Sequence, residues 1–218
     1  KELVDISQKG NTEDWIKAIQ TEKAKRELKP DSKPGTGFVN PKYVLSVLTG
    51  LLGENDIVTT EVGQNQIWAA NYFGVKKPRT FISSGGLGTM GYGLPASVGA
   101  KIGCPDRRVV CIGGDGSFQM NMQELGTIKQ NKLGIKIVLF NNSRLGMVRE
   151  LQKTKYCGRY FQVFLEDNPD FIKLFDAYGF KGRRIDDNSQ VEDALKEMLS
   201  DEEPFLLECR IDPEESTL

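Results

Sequence analysis

Short runs of apolar residues alternate with longer segments of mixed polarity along most of the chain. Residues 108–112 (RVVCI) and 136–140 (KIVLF) are the two strongest runs, and each is followed by glycine or asparagine. Continuous apolar runs of this length are typical of strands that are buried on both faces. Because helical patterns separate such runs, the sequence predicts an α/β fold: a three-layer sandwich in which a mainly parallel sheet is flanked by helices.

Weaker patterns complete the predicted order of elements. Pro41 favours the start of a helix, because proline is well tolerated in the first helical turn. The patterns predict further strands at 56–60, 81–84, 183–185 and 205–211, and helices at 41–52, 92–102, 121–131, 170–178 and 189–200.

A stretch rich in proline and glycine at 30–37 (PDSKPGTG) separates two parts of different character. Residues 1–29 are highly charged and carry a narrow apolar stripe of Trp15, Ile16 and Ile19, which predicts an amphipathic helix. We therefore expect residues 1–37 to be a helical linker from a preceding domain and residues 38–218 to form one domain. The first residue is lysine, and we expect the chain to be a fragment of a longer protein.

Composition narrows the class of protein. The 218 residues are 39% hydrophobic and 27% charged, with a formal net charge of −1. This is the make-up of a globular domain, and it offers no charge excess to attract nucleic acid or an anionic membrane surface. No apolar run approaches the roughly 18 residues that predict a membrane span. The four cysteines are widely spaced and no signal-peptide pattern is present, so we expect a cytoplasmic location.

The chain contains no histidine. This excludes serine–histidine and cysteine–histidine nucleophile pairs, and it excludes zinc sites that use histidine. Any catalytic chemistry must therefore depend on carboxylates, backbone groups, a metal ion or an organic cofactor.

Polar clusters of residues that tolerate tight turns follow the two strongest predicted strands. Asp115 lies in a Gly-Gly-Asp-Gly-Ser sequence after the first strand, and Asn142 lies in Asn-Asn-Ser-Arg after the second. Ligands of parallel sheets sit at the carboxyl ends of the strands, so adjacent strands would bring these two oxygen-bearing side chains together. We expect a helix to begin after Ser117 and to direct its N–H groups at an anion. One carboxylate, one amide and phosphate oxygens are ligands that suit Mg²⁺, which predicts a diphosphate bridged to the protein by a divalent cation.

Each cluster also has a purely structural interpretation. A lone Gly-Asp-Gly is usually a turn, two asparagines after a strand are usually a loop or a helix cap, and GGLGTMGYG is a poor match to a dinucleotide fingerprint. Their order and their positions on the predicted elements favour a shared site. A non-catalytic module that binds a nucleotide or phosphate remains an alternative, but it would need neither Met90 between glycines nor the partner Asn142.

The G-D-G and N-N pair, from Gly114 to Asn142, resembles the signature of thiamin-diphosphate enzymes. The segments EVGQNQIWAA, SSGGLGTMGYGLPASVGA, GDGSFQMNMQEL and NNSRLGMVRELQ are similar to those of the acetolactate synthase (acetohydroxyacid synthase) family. The resemblance covers most of residues 38–212. It implies that residues 38–218 are a C-terminal thiamin-diphosphate-binding domain.

The resemblance also implies roles for particular residues. Asp115 and Asn142 would bind Mg²⁺ through their side chains, and Arg144 would bind it through its backbone oxygen while its guanidinium turns away. Met90 would be the bulky side chain that holds the cofactor bent, and Met147 and Leu151 would line the substrate pocket. The residues that would contact the cofactor are Gln64, Asn65, Gly88, Thr89, Met90, Asp115, Gly116, Ser117, Asn142, Ser143, Arg144, Leu145, Gly146 and Met147.

The family implies an activity and partners for the full-length protein. Pyruvate would condense with a second 2-keto acid with loss of CO₂, a reaction of branched-chain amino-acid biosynthesis. The full-length enzyme would be a homodimer or homotetramer that also binds FAD, with a small regulatory subunit as a further candidate partner. The activating glutamate would lie in an N-terminal domain outside this chain, so we interpret Glu61 as structural and expect the fragment alone to be inactive.

Two positions depart from the family pattern. Asn65 stands where many relatives have histidine, and Leu151 stands where acetolactate synthases usually have tryptophan. The smaller Leu151 predicts weaker discrimination between pyruvate and 2-ketobutyrate, and it leaves open another thiamin-diphosphate-dependent decarboxylase or carboligase. We also expect Trp68, Tyr72, Phe73 and Met147 to form an exposed apolar surface that a partner covers.

Overall fold

The computed structural model describes residues 6, 10–25, 30 and 32–217. Six parallel strands form one sheet in the order β2-β1-β3-β4-β6-β5. The strands are β1 (Ile57–Thr60), β2 (Phe81–Ser83), β3 (Val109–Gly114), β4 (Ile135–Asn141), β5 (Lys181–Ile185) and β6 (Phe205–Arg210). The α/β fold with a parallel sheet is therefore confirmed.

Nine α-helices and one short 3₁₀ helix lie in the described part of the chain. They are α1 (Glu13–Lys25), α2 (Pro41–Leu51), α3 (Gln64–Tyr72), α4 (Gly93–Gly103), α5 (Asp115–Phe118), α6 (Glu124–Asn131), α7 (Gly146–Lys155), α8 (Phe171–Ala177) and α9 (Val191–Met198), with the 3₁₀ helix at Asn188–Gln190.

Helices cover both faces of the sheet because successive strand residues point to opposite sides. On β3, Val110 and Ile112 pack with α2, α3 and α9, whereas Cys111 packs with α4, α6 and α8 on the other face. The central strands β3 and β4 are almost entirely buried. This explains why their sequences are continuous apolar runs rather than alternating ones.

Three helices near the carboxyl ends of the strands were not foreseen in their observed positions. The sequence patterns gave no helix at Gln64–Tyr72 or at Gly146–Lys155. The prediction of a helix start after Ser117 was wrong, because a short helix begins at Asp115 itself and α6 follows only at Glu124. The polar side chain of Asp115 therefore belongs to the first residue of a helix rather than to a loop.

The prediction that Trp68 belongs to an exposed apolar surface is also wrong. Trp68 is only 1% exposed, because its ring packs edge-on against Phe140 with centroids 5.8 Å apart. Its indole N–H donates to the carbonyl oxygen of Ser216 at 2.9 Å. Tyr72, Phe73 and Met147 are half-buried. A buried indole with its N–H paired is a core residue rather than a contact surface.

The amino-terminal segment is helical where it is described. Helix α1 buries none of its side chains, and Trp15 is 69% exposed. The rest of the predicted helix at 1–29 lies mostly outside the described residues, and the domain boundary at 37/38 stays a prediction. Within the described residues, none of the helices has both the length and the apolar composition needed to cross a bilayer.

Candidate functional site

A cleft opens at the carboxyl ends of β3 and β4. The two strands are direct neighbours with Gly114 opposite Phe140, so their ends lie side by side. Side chains and backbone from α3, the Met90 loop, α5 and the start of α7 surround it. Its lining residues are Val62, Gly63, Gln64, Asn65, Trp68, Met90, Gly114, Asp115, Gly116, Ser117, Phe140, Asn142, Arg144, Leu145, Gly146, Met147 and Val148.

Asp115 places a buried carboxylate at this cleft. Its side chain is 1% exposed, and its Oδ2 accepts a hydrogen bond of 2.6 Å from the amide of Asn168. Burial raises the pKa of Asp115 to about 6, although the bonds from Asn168 and from backbone groups, including that of Asn142, favour the charged form. Within the described residues no cationic side chain pairs with this desolvated carboxylate, so a metal ion would stabilise its charged form.

Asn142 contributes an amide whose orientation is fixed by two hydrogen bonds. Its Nδ2 donates to Oε1 of Gln64 at 2.9 Å, and its Oδ1 accepts from the backbone N–H of Arg144 at 3.1 Å. Gln64 is itself held, because its Nε2 donates to the carbonyl oxygen of Glu215 at 2.9 Å. The network therefore assigns the oxygen and the nitrogen of the Asn142 amide, and the oxygen keeps a second lone pair for a cation.

The guanidinium of Arg144 is engaged by its neighbours, whereas, in the described part of the chain, its backbone carbonyl is not. The residue pairs with Phe164 in an isolated antiparallel bridge, and its guanidinium lies over the Phe164 ring, 4.7 Å from the centroid. Among the residues described, none donates a hydrogen bond to the Arg144 carbonyl oxygen. That oxygen is therefore available as a third hard ligand. The neighbouring Ser143 carbonyl, by contrast, already accepts a hydrogen bond from the backbone N–H of Leu165.

The start of α7 offers free backbone donors to the same cleft. Gly146, Met147 and Val148 line it, and within the described chain their N–H groups have no acceptor. The first N–H groups of a helix are unsatisfied by the helix itself and lie at the positive end of its dipole. This arrangement suits a phosphate, which presents several acceptor oxygens and negative charge.

Asn65 and Gly116 add two further signs of a ligand site. Asn65 is buried, and its Oδ1 is one of the buried side-chain atoms with no hydrogen-bond partner in the described structure. A Cβ added to Gly116 would lie 2.8 Å from Leu145 and 3.1 Å from Leu165. Only glycine therefore fits at 116 without moving the floor of the cleft.

Met90 reaches the cleft from a loop that a buried carboxylate holds in place. Glu61 accepts hydrogen bonds from the N–H of Gly91 at 2.8 Å and of Leu94 at 3.0 Å. Burial raises the pKa of Glu61, and these backbone donors oppose the rise. Glu61 is fully buried, so the geometry agrees with its interpretation as a structural residue at the end of β1.

Four residues expected at the site do not line the cleft. Gly88 and Thr89 are exposed on the loop before Met90, and Ser143 faces a second, polar depression beside β6. Leu151 lies on α7 and is 51% exposed. Conversely, sequence reasoning missed six residues that line the cleft: Val62, Gly63, Trp68, Gly114, Phe140 and Val148. Three of them, Gly63, Gly114 and Val148, directly adjoin a residue that it did identify.

The donor set tests which metal would fit. In the part of the chain that the structure describes, no three acidic or cysteine side chains come together as a metal site. One carboxylate, one amide oxygen and one carbonyl leave half of an octahedral shell to phosphate and water. Such a set fits Mg²⁺, which commonly binds through one or two carboxylates plus phosphates, and does not fit structural zinc.

Comparison with known protein families gives a match over most of the chain. Residues 61–209 match the family described as "Thiamine pyrophosphate enzyme, C-terminal TPP binding domain". The match begins at Glu61 and includes both strand-end clusters.

Curated relatives cover nearly the whole chain. A "Probable acetolactate synthase large subunit" of Methanococcus aeolicus is 41% identical in an alignment of 222 positions, which covers 98% of this chain and 36% of that protein. The "Acetolactate synthase isozyme 2 large subunit" of Escherichia coli K12 is 49% identical over 82% of this chain and 32% of its own length. The chain thus spans about a third of the length of these relatives.

Proposed function

Since the chain belongs to the family of C-terminal TPP-binding domains of thiamine pyrophosphate enzymes, we propose that its cleft holds the diphosphate of thiamin diphosphate through a bound Mg²⁺ ion. The convergence of Asp115, Asn142 and the free Arg144 carbonyl at adjacent strand ends carries the proposal. In this role Asp115 Oδ1, Asn142 Oδ1 and the Arg144 carbonyl are the protein ligands of the metal.

The remaining cleft residues divide between the two ends of the cofactor. The N–H groups of Gly146, Met147 and Val148 would donate to the diphosphate, together with the amide of Asn65. Met90, Gly88 and Thr89 would line the rings, with the Met90 thioether filling the concave side without competing for protons. Gly116, Ser117, Ser143 and Leu145 complete the binding set, and Met147 and Leu151 would shape the substrate pocket.

Thiamin diphosphate supplies a nucleophilic carbon that adds to 2-keto acids and permits loss of CO₂. The chain's contribution is to anchor the diphosphate, to exclude water with apolar side chains, and to hold the rings in position. Burial disfavours the charged form of Asp115, and a bound cation would offset that cost, so metal and cofactor are expected to bind together.

For the full-length protein the proposed activity is that of acetolactate synthase: condensation of pyruvate with a second 2-keto acid in branched-chain amino-acid biosynthesis. The names of the relatives support it. Another thiamin-diphosphate-dependent decarboxylase or carboligase stays the alternative because of Leu151. FAD, the activating glutamate and a homodimeric or homotetrameric state belong to the same proposal, as do residues 1–37 as a linker and a cytoplasmic location. The words "large subunit" in those names favour a smaller regulatory partner.

Thermal shift tests the binding site directly on this chain. Thiamin diphosphate with Mg²⁺ should raise the melting temperature, whereas NAD or ATP with Mg²⁺ should not. Binding to the folded state alone stabilises by RT ln(1 + [L]/Kd), or about 2.7 kcal/mol at 100 times Kd. Asp115→Ala should abolish the shift, and Asn131→Ala, on the exposed end of α6, should leave it unchanged. A shift with NAD or ATP alone would instead support the nucleotide-binding alternative.

A chimera tests the activity. The matching third of the Escherichia coli isozyme 2 large subunit would be replaced by residues 38–217 of this chain. We expect acetolactate from pyruvate, and no product when Asp115→Ala is included. Release of acetaldehyde as the main product would favour the simple decarboxylase and refute the synthase.

A further inference from the structure

Asn168 contacts the cleft from outside the two strand-end clusters. It lies 53 positions after Asp115 in the sequence, yet its Nδ2 donates to Asp115 Oδ2 at 2.6 Å. From this geometry we infer that Asn168 is a positioning residue that limits Asp115 to binding metal through one oxygen, Oδ1. The inference rests on the proposed function, because it concerns how the same site selects its metal.

The orientation of the Asn168 amide is fixed by its other partners. Its Oδ1 accepts a hydrogen bond of 2.9 Å from Nε2 of Gln119, and Gln119 also donates to the backbone carbonyl of Asp115 at 3.1 Å. Turning the amide over would bring its oxygen against the Asp115 carboxylate and would leave two donors facing each other. The N–H group must therefore point at Asp115.

Rigid packing fixes the position of Asn168 as well. Pro169 follows it and restricts its backbone to extended conformations. Asp170 then caps α8, accepting from the N–H of Ile172 at 3.2 Å. The first residue of α8, Phe171, packs edge-on against Phe118 at the end of α5, with ring centroids 5.9 Å apart. The two segments that carry Asn168 and Asp115 are thus joined through the core.

An occupied Oδ2 changes what the site can bind. Mg²⁺ demands near-ideal octahedral geometry, whereas Ca²⁺ accepts bidentate carboxylates and irregular shells. With Oδ2 held by Asn168, Asp115 offers a single oxygen in a fixed direction, which favours Mg²⁺. Without that bond Oδ2 is open to the metal as well, and the carboxylate can bind through both oxygens. Residues that orient metal ligands typically contribute 10- to 100-fold in metal affinity.

The test compares two metals in the purified chain. The affinity for thiamin diphosphate is measured by calorimetry as a function of Mg²⁺ or Ca²⁺ concentration. In Asn168→Ala, the Mg²⁺ concentration needed for half-maximal binding of thiamin diphosphate should rise by about 10- to 100-fold. The Ca²⁺ concentration needed should change clearly less. Gln119→Ala frees the Asn168 amide without removing it. It should change the ratio of the Mg²⁺ to the Ca²⁺ concentration needed for binding in the same direction, but by less. Asn131→Ala is the matched control, because the Asn131 amide donates to the Thr127 carbonyl of its own helix and, among the residues that the structure describes, to nothing at the cleft.

Each outcome decides between defined possibilities. If the unaltered chain binds neither metal with thiamin diphosphate, the proposed function fails, and this inference fails with it. If it binds but Asn168→Ala and Gln119→Ala keep the Mg²⁺-to-Ca²⁺ ratio, the inference alone is refuted. Asn168 is merely structural if its replacement weakens binding equally with both metals. The same conclusion follows if the metal-free variant melts at a lower temperature while the Mg²⁺-to-Ca²⁺ ratio is unchanged.

Discussion

Gly146 offers a sharp test of how tightly the cleft is packed. It is the first residue of α7 and has an ordinary helical backbone, so alanine is conformationally allowed there. A Cβ at this position would lie 2.5 Å from Cδ of Gln64 and 2.8 Å from Nδ2 of Asn142. Both neighbours are buried and joined by a hydrogen bond. Gly146→Ala should therefore separate the pair that orients the Asn142 amide.

The expected cost follows from two contributions. Forcing a methyl group into a packed site costs about 1–3 kcal/mol, and a weakened buried hydrogen bond costs about 1 kcal/mol more. For a domain of this size each kcal/mol lowers the melting temperature by about 2–4 °C. Gly99→Ala is the matched control, because Gly99 lies inside α4 with open space around its would-be Cβ. It should raise stability by about 0.5–1 kcal/mol, since alanine is the better helix former.

Urea denaturation of the metal-free chains measures both changes, and calorimetry measures binding of thiamin diphosphate with Mg²⁺. Binding should weaken in Gly146→Ala and be unchanged in Gly99→Ala. The double variant Gln64→Ala/Gly146→Ala should be less destabilised than the sum of the single changes, because the clash partner is gone. Equal midpoints for Gly146→Ala and the unaltered chain, with equal affinity, would refute the close Gln64–Asn142 contact.

Three further predictions concern charge, specificity and activity. The pKa of Asp115 is raised from 3.8 to about 6, so the metal-free fold holds its proton more tightly than the unfolded chain. This contribution to stability is complete below about pH 4 and is lost as pH rises through about 6. Asp115→Asn should therefore gain stability relative to the unaltered chain as pH rises from about 4 to about 6 in denaturation experiments, and a difference that does not change over this range would contradict the pKa shift. Leu151→Trp in the active chimera should raise the preference for 2-ketobutyrate over pyruvate by about tenfold or more; unchanged product ratios would remove Leu151 from the specificity pocket. The purified chain with thiamin diphosphate, Mg²⁺ and pyruvate should form no acetolactate, and measurable turnover would show that it carries its own activating group.

The sheet and the strand-end pair could be predicted because apolar patterning reports burial directly. Strands β3 and β4 are buried on both faces, so their runs of apolar residues are unbroken. Once they were assigned as parallel neighbours, the meeting of Asp115 and Asn142 followed from the geometry of α/β sheets.

Helices α3 and α7 could not be predicted in the same way because their buried faces are polar. Helix α3 buries Gln64 and Asn65 beside Trp68, and α7 buries Gly146 and Arg149. The guanidinium of Arg149 pairs with Glu214 and lies 5.3 Å from the ring centroid of Tyr160. Hydrophobic periodicity cannot identify a helix whose inward side chains serve a site or an ion pair.

The C-terminal segment explains why these polar side chains can be buried at all. Its backbone carbonyls at Glu215 and Ser216 accept from Gln64 and Trp68, and Thr217 donates to Glu150 on α7. Each of these buried groups would otherwise lose its hydrogen bond to water at a cost of about 1–3 kcal/mol. The segment therefore ties α3 to α7 beside the cleft, whereas the Arg144 carbonyl and the first N–H groups of α7 have no partner among the residues that the structure describes. The polar groups beside the cleft are thus hydrogen-bonded by the protein, whereas those that converge on the cleft are not within the described chain. This contrast indicates that a ligand completes the site.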